Sequence, residues 1–450
     1  MARRLRNSIV AVAILLFLIL GGYFFLQQNG WVWDPTNWKM VKTGGIYLSF
    51  VPHGAQILVD GTPYADTTSF LSSGILIQRL PPKPYAITLK KPGFYPWEKT
   101  VAVTPGKVAA AHDIFLWPKN PPTQIVGAGI KDFWITREGL VLEDAHGQLR
   151  LGNQLLRGTT VELSSSDSGG LITRQNTSRF FIDLQNPETA TNLDSLFTSL
   201  LGQIYPSARD TKIDRIFFHP FSHQKLLITT KTALYNTDLK KIDMERVAVF
   251  PEGTILSISS SDGSALTPTG DLLVFNLILK TFSSSTLSSV PSSTTKISTS
   301  PNGIYLLLET KESGFFVYDR NTEKMTRVTD APVAAYTVSP EGKRLAMLTE
   351  DKKLTLYYLA EYEGNRLVPK ETRESVSFPF LFSSTSRILW LPHQDAALLL
   401  NSNSAIGLDM DFRSPLNTQI LYKNTSKNDF TDTLLLLKEN GELLSIDLEG

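Results

Sequence analysis

The sequence predicts a mainly β protein made of an N-terminal helix, a small β-sandwich and a larger C-terminal β-propeller. Three observations carry that expectation. An uncharged apolar run lies at the N-terminus, short alternating runs between turn residues begin near residue 44, and a turn-and-strand unit recurs 39 residues after its first clear copy.

The apolar run comes first. Arg3, Arg4 and Arg6 precede an uncharged stretch from Ser8 to Leu26, and no charge follows until Asp34. Nineteen residues at about 1.5 Å each approach the thickness of a hydrocarbon core. The expected assignment is a cytoplasmic N-terminus at 1–7, a transmembrane signal-anchor helix at 8–27 and a juxtamembrane linker at 28–43. The arginines before the run orient it by the positive-inside bias, which places all later residues outside the cell membrane. A cleaved signal peptide is the rival, but the exit reads Gly21-Gly22-Tyr23-Phe24 and lacks a small-x-small cleavage site. Trp31, Trp33 and Trp38 follow in a cluster that fits the headgroup level better than packing on the next domain.

From Gly44 to about Trp117 the expected strands are Ile46 to Phe50, Gln56 to Asp60, Ile75 to Leu80, Tyr85 to Lys90, Thr100 to Val103 and Ala111 to Leu116. In the fourth of these, Tyr85, Ile87 and Leu89 share one face and Ala86, Thr88 and Lys90 the other, the alternation of a half-buried strand. The stretch Val51-Pro52-His53-Gly54-Ala55, the Asp60-Gly61 hairpin signal and Lys91-Pro92-Gly93-Phe94-Tyr95 resemble the PEGA domain of bacterial and archaeal surface proteins. His53 stands where the family name implies Glu, at a turn expected to be exposed. The resemblance implies an extracytoplasmic accessory sandwich at 44–118 with no known chemistry.

Pro118-Lys119-Asn120-Pro121-Pro122 reads as a stiff linker, assigned to 119–123. Beyond it, 124–450 is expected to be the propeller. Ser300-Pro301-Asn302-Gly303 leads into a strand pair, and so does Ser339-Pro340-Glu341-Gly342. Phe218-His219-Pro220 and Trp390-Leu391-Pro392 are weaker echoes. The unit resembles TolB-type and other WD-like propeller repeats. At about 40 to 45 residues per blade the stretch holds about seven blades, or eight. The runs Thr433 to Leu437 and Leu443 to Leu448 are too short for a whole blade, so they are expected to complete the first one and close the ring. The Ser/Thr-rich stretch from Ser283 to Thr299 fits an inter-blade connection better than a flexible linker.

Composition narrows the chemistry. With 44 Lys plus Arg against 43 Asp plus Glu, no global charge favours nucleic acid. Lys240-Lys241 and Lys352-Lys353 read as solvated turns. The absence of cysteine removes disulfides, thiolate metal sites and thiol nucleophiles. Asp167-Ser168-Gly169-Gly170 lacks both the preceding Gly and the histidine segment of a chymotrypsin-like nucleophile site. His219 and His223 are separated by Pro220, and the other histidines at 53, 112, 146 and 393 form no cluster. Asp409-Met410-Asp411 lacks a calcium-loop pattern and reads as solvent-facing strand residues. No phosphate loop or nucleophile elbow occurs.

No catalytic, cofactor or metal residue can therefore be named, and no binding residue either. The expected function is a membrane-anchored extracytoplasmic scaffold of the cell envelope. It would be non-catalytic and would hold an envelope protein or cell-wall glycan at the propeller's top face and central channel. The alternative is a propeller lyase or hydrolase acting on cell-wall polysaccharide, which needs paired carboxylates converging from separate blades.

Overall fold

The computed structural model describes residues 2–34, 38–64, 74–167, 169–208, 210–258, 262–277, 281–287, 290–291, 293–311, 314–378, 386–392, 395–401, 403–431 and 433–448. Helix α1 runs Ala2–Gln28, with side chains described from Val12 onward. Arg3, Arg4, Arg6 and the start of the apolar run thus lie outside the described side chains. Among the described residues no helix is long and apolar enough to cross a membrane. The described part of α1 is exposed all along one apolar stretch, from Val12 through Phe17 at 74 % to Phe25 at 70 %.

A short hairpin follows, β1 (Trp31–Asp34) on β2 (Lys39–Lys42), with Trp33 and Trp38 edge to face at 5.9 Å. The sandwich is built from β3 (Gly44–Val51), β4 (Gln56–Val59), β5 (Thr62–Pro63), β6 (Ile75–Leu80), β7 (Pro84–Lys90), β8 (Trp97–Ala102) and β9 (Val108–Phe115). One sheet has the order β6-β3-β9 and the other β5-β4-β7-β8. The alternation expected of β7 holds, since Tyr85, Ile87 and Leu89 are buried in the sandwich core with Ile46, Leu48 and Val101. Asp60 and Gly61, at φ 49° and 78°, form the two-residue loop between Val59 and Thr62. Both positions need positive φ, which explains an Asp-Gly pair there.

The remaining residues form eight four-stranded antiparallel sheets in succession among the described residues. In the first seven, four strands consecutive along each sheet are also consecutive in sequence, apart from a hairpin (Tyr362–Glu363 with Leu367–Val368) inserted in the sixth. The eighth draws three strands, Thr425–Phe430, Leu434–Lys438 and Leu443–Ile446, from the C-terminus. Its outer strand is β10 (Thr123–Gly127), paired with Leu443–Ile446. The C-terminal runs therefore do join the two ends of this part, but with a third strand from 425–430 that the sequence reading left out. Pairing the ends leaves no unpartnered first sheet to aggregate.

The recurring turn has a physical basis. In both copies the serine hydroxyl accepts the amide of the residue five places on, Tyr305 and Arg344, at 2.9 and 3.0 Å. The glycines, at φ 73° and 72°, donate back to the serine carbonyls. Ser fixes the turn and Gly permits it. Adjacent turns also touch, since Asn302 Nδ2 donates to Gly342 O at 3.1 Å.

One element departs from the expected all-strand pattern. Helix α2 (Leu193–Ile204) lies between the second and third sheets, capped by Asn192 Oδ1, which accepts Ser195 N. Its buried residues Leu193, Phe197, Leu200 and Leu201 stand at helical spacing, so the signal was present but brief. The stretch from Ser283 to Thr299, expected as an inter-blade connection, lies mostly in two strands, Phe282–Thr286 of the fourth sheet and Thr294–Thr299 of the fifth; the connection is only 287–293, with positions 288, 289 and 292 outside the described residues.

Candidate functional site

The sandwich does not stand off from the propeller on a spacer; it is docked onto one end of the sixth and seventh sheets. The contacting segments are the connections from first to second strand and from third to fourth strand of those sheets. In an antiparallel four-stranded sheet both connections lie at the same end. The docking has two polar centres and an apolar seam.

The first centre is Lys99. Strand β8 alternates, and Lys99 occupies an inward position between Trp97 and Val101 with its side chain wholly buried. Its ammonium donates to the carbonyls of Asp411, Arg413 and Pro415, the last two at 2.9 Å, and pairs with Asp409 at 3.0 Å. Asp409 Oδ2 also accepts Trp97 Nε1 and Asn417 Nδ2, both at 2.9 Å. Asn417 clamps the Glu98 backbone from both sides, and Thr100 N donates to Ser414 O. All three ammonium protons and the carboxylate are satisfied, which is the condition for burying such a pair.

This overturns the reading of Asp409 and Asp411 as solvent-facing. Both are 7 % exposed. Burial works to raise the Asp411 carboxyl, but the Arg413 guanidinium, hydrogen-bonded to it, holds it below its ordinary value. Sequence spacing placed these aspartates on a strand, but their partner on β8 lies more than 300 positions away.

The seam is apolar. Phe115 and Trp117 leave the sandwich and pack among Leu391, Leu398 and Ala405 of the seventh sheet and Leu434, Leu436 and Ile446 of the eighth. Gly407 lets the indole of Trp117 lie flat on the sheet, since a Cβ there would sit 2.4 Å from the ring.

The second centre lines a cleft of about 360 Å³ between His112 and Asp113 of β9, the Pro340-Glu341 turn and Arg344 of the sixth sheet, Tyr362 of its inserted hairpin, and Trp390, Leu391 and Asp395 of the seventh. Arg344 is held on several sides. Its Nη1 donates to Asp395 at 2.6 Å and its Nε to Glu341 at 2.9 Å, while the guanidinium lies 4.2 Å from the Tyr362 ring and 4.6 Å from Trp390. Asp395 also accepts Asn365 Nδ2 at 2.7 Å, and Asn365 Oδ1 accepts His112 N at 2.6 Å. Asp395 N donates to Asp113 O. Burial pushes the Asp395 carboxyl up to about 6, against the pull of Arg344 and with the nearby Asp409 adding to the rise. Burial likewise raises the Tyr362 phenol.

The residues singled out from sequence do not meet here. Ser168 lies outside the described residues, and Gly170 starts a strand whose backbone runs against the ring of Phe181. His219 and His223 flank a hairpin turn, where His219 Nδ1 accepts Phe221 N and burial lowers its pKa. His393 is outside the described residues, and among those described no group of three His, Cys, Asp or Glu could hold a metal. Lys240 and Lys241 sit on a turn held by Asp238 Oδ1, and Lys353 pairs with Asp351 at the surface. Two of the quoted repeat turns, at Ser339 and at Trp390, do supply the cleft. Lys99, Arg344, Asp395 and Asn417 went unread. For Lys99 the one available signal was a charge at an inward register position between Trp97 and Val101.

Residues 43–112 match the PEGA domain. No curated protein matches the chain. Among solved structures, the chain is similar to Hsv2 of Kluyveromyces lactis, with TM-score 0.44 and 12 % identity over 66 % of this chain and 99 % of that one. It is also similar to a chain of the mitotic checkpoint complex, with TM-score 0.41 and 11 % identity over 73 % and 92 %. A third is the β-propeller domain of Cps50 (Swd1) from Myceliophteria thermophila, with TM-score 0.36 and 14 % identity over 62 % and 96 %.

Proposed function

We propose that the chain is a membrane-anchored extracytoplasmic scaffold in which the PEGA sandwich and an eight-bladed propeller act as one rigid body to hold a partner protein. The observation that carries this reading is the buried Lys99 centre, which fixes the sandwich to the seventh sheet through four acceptors. A sandwich serving only as a spacer needs no such joint. Rigid docking sets the orientation of the propeller relative to the sandwich, and orientation is what a scaffold supplies.

The anchor is α1. A helix that is apolar on every described face and covered by no protein is stable in lipid and costly in water. The three arginines ahead of it favour the cytoplasmic side, so both folded units lie outside. Three buried acidic groups at the joint are engaged by cations, Asp409 by Lys99, Asp411 by Arg413 and Asp395 by Arg344. That arrangement favours holding over hydrolysis.

Protease accessibility on intact cells carrying a C-terminal tag tests the reading. Loss of the tag to external protease, directly or after any outer membrane is opened, is the expected result. A tag protected until the inner membrane is lysed would overturn the topology and send the search for partners to the cytoplasm.

A further inference from the structure

The cleft between the sandwich and the sixth and seventh sheets has the chemistry of a recognition site. We propose that it binds a lysine or arginine side chain presented on an extended segment of the partner polypeptide. The proposal deepens the scaffold reading by naming what the partner must offer.

Four features argue for it. The cavity, about 360 Å³, falls at the lower end of the usual range of about 300–1,000 Å³ for a ligand site. Its walls are preorganised, because Asn365, Asp395 and the β9 backbone are tied by three hydrogen bonds, two of which cross between propeller and sandwich. Three carboxylates, Asp113, Glu341 and Asp395, line it against the single guanidinium of Arg344. Asp395 neutralises that guanidinium in a buried pair, whereas Asp113 is exposed and the Glu341 side chain is 34 % exposed, so the open end of the cleft carries excess negative charge. A cation is attracted there, and a phosphate of a nucleic acid or an anionic headgroup is repelled.

The remaining features specify the form of the cation. Pro340, Leu391 and the edge of Trp390 offer apolar surface for a methylene stem, as long basic side chains require. Arg344 is 5 % exposed, and its donors in use are Nε and Nη1. Among the described residues Nη2 has no acceptor, so this nitrogen is a donor left for whatever fills the cleft. A main-chain carbonyl of an extended segment satisfies it. A free amine would supply the charge but leave that donor unmet.

The test uses the purified full chain in detergent and three fluorescein-labelled glycine heptapeptides with lysine, norleucine or glutamate at the centre, read by fluorescence anisotropy. The lysine peptide is expected to bind about tenfold or more tighter than either of the others, the scale of one desolvated charge contact. Its advantage is expected to disappear in the Asp113→Asn, Glu341→Gln double variant. Both changes are compatible with the fold, since Asn is at home at the φ of 55° that Asp113 adopts and Gln can still accept Arg344 Nε. Equal binding of lysine and norleucine peptides, tighter binding of the glutamate peptide, or no binding by any of the three would overturn the proposal. Lysine methyl ester binding as tightly as the lysine heptapeptide would also overturn it, since the site would then recognise a free amine. Because no cell is used, none of these outcomes depends on the membrane topology.

Discussion

The chain crosses between structural units twice, and the two crossings are built in opposite ways. Where α1 gives way to the hairpin and the sandwich, the contacts are few. Thr43 reaches back to Gly30 O through its amide and hydroxyl at 2.7 and 2.8 Å, while Trp33 and Trp38 remain 44 % and 79 % exposed. Where the sandwich gives way to the propeller, an ammonium, three carboxylates and two guanidiniums are buried or half-buried around an apolar seam. The first crossing links an exposed apolar helix to a folded domain through few contacts, so it fixes little. The second sets an angle, and charges buried against fixed partners tolerate only one geometry.

That contrast is sharpest at Lys99. Lys99→Met strands the Asp409 carboxylate in the interface, and removal of one member of a buried pair costs about 3–5 kcal/mol. Chemical denaturation followed by tryptophan emission should show the loss, and the double variant Lys99→Met, Asp409→Asn should recover part of it. A single variant as stable as the parent would mean that the seam alone holds the joint.

Asp395 comes next. Its pKa is raised to about 6 in the fold, so the folded protein takes up a proton that the unfolded chain, with an ordinary carboxyl near 3.9, does not. The charged form therefore weighs against the fold above pH 6. That penalty fades as pH falls from 7 toward 4, a change on the order of 3 kcal/mol from this group alone. Carboxyls held low elsewhere, such as Asp411 and Asp319, act in the opposite direction, so the measurement is the stability difference between the parent and Asp395→Asn. The parent should gain on the variant as pH drops through that window. A difference independent of pH would show that Arg344 compensates Asp395 fully.

Gly407→Ala probes the seam without touching a charge. The new methyl would press on the Trp117 indole, and overpacking of this kind costs about 1–3 kcal/mol. The thermal midpoint should fall, and the fall should be smaller in a Trp117→Leu background. An equal fall in both would place the strain elsewhere.

How much of this was legible depended on how far apart the interacting residues lie. The alternation of β7, the Asp60-Gly61 loop and the paired serine turns are local, and period-two alternation and turn chemistry reveal them. The match of Ser300 with Ser339 was readable because one hydroxyl-to-amide bond fixes the same residue types at the same offsets. The joint was not. The pattern Trp97-Glu98-Lys99-Thr100-Val101 puts a lysine where an apolar residue is expected, and the acceptors that justify it belong to 409–415. Asp409 and Asp411 misled for the same reason. A carboxylate on a strand reads as solvent-facing until a cation from another domain is set beside it. The Pro-rich segment 118–122 looked like a spacer because proline marks stiffness, and stiffness also suits a chain that must pass directly from a docked sandwich into β10.

The smallest effect belongs to the first crossing. Trp38→Ala removes an exposed ring whose described aromatic neighbour is Trp33, itself half-exposed. The sandwich core lies elsewhere, around Ile46, Leu48 and Ile87. The thermal midpoint of the detergent-solubilised chain should not change measurably, and neither should the lysine-peptide affinity of the cleft. If α1 anchors the chain as proposed, the same substitution should reduce quenching of tryptophan emission by brominated lipid in reconstituted vesicles, because interfacial tryptophans meet headgroups. A lowered midpoint with unchanged quenching would mean that Trp38 packs on protein, and the two crossings would then be alike in kind.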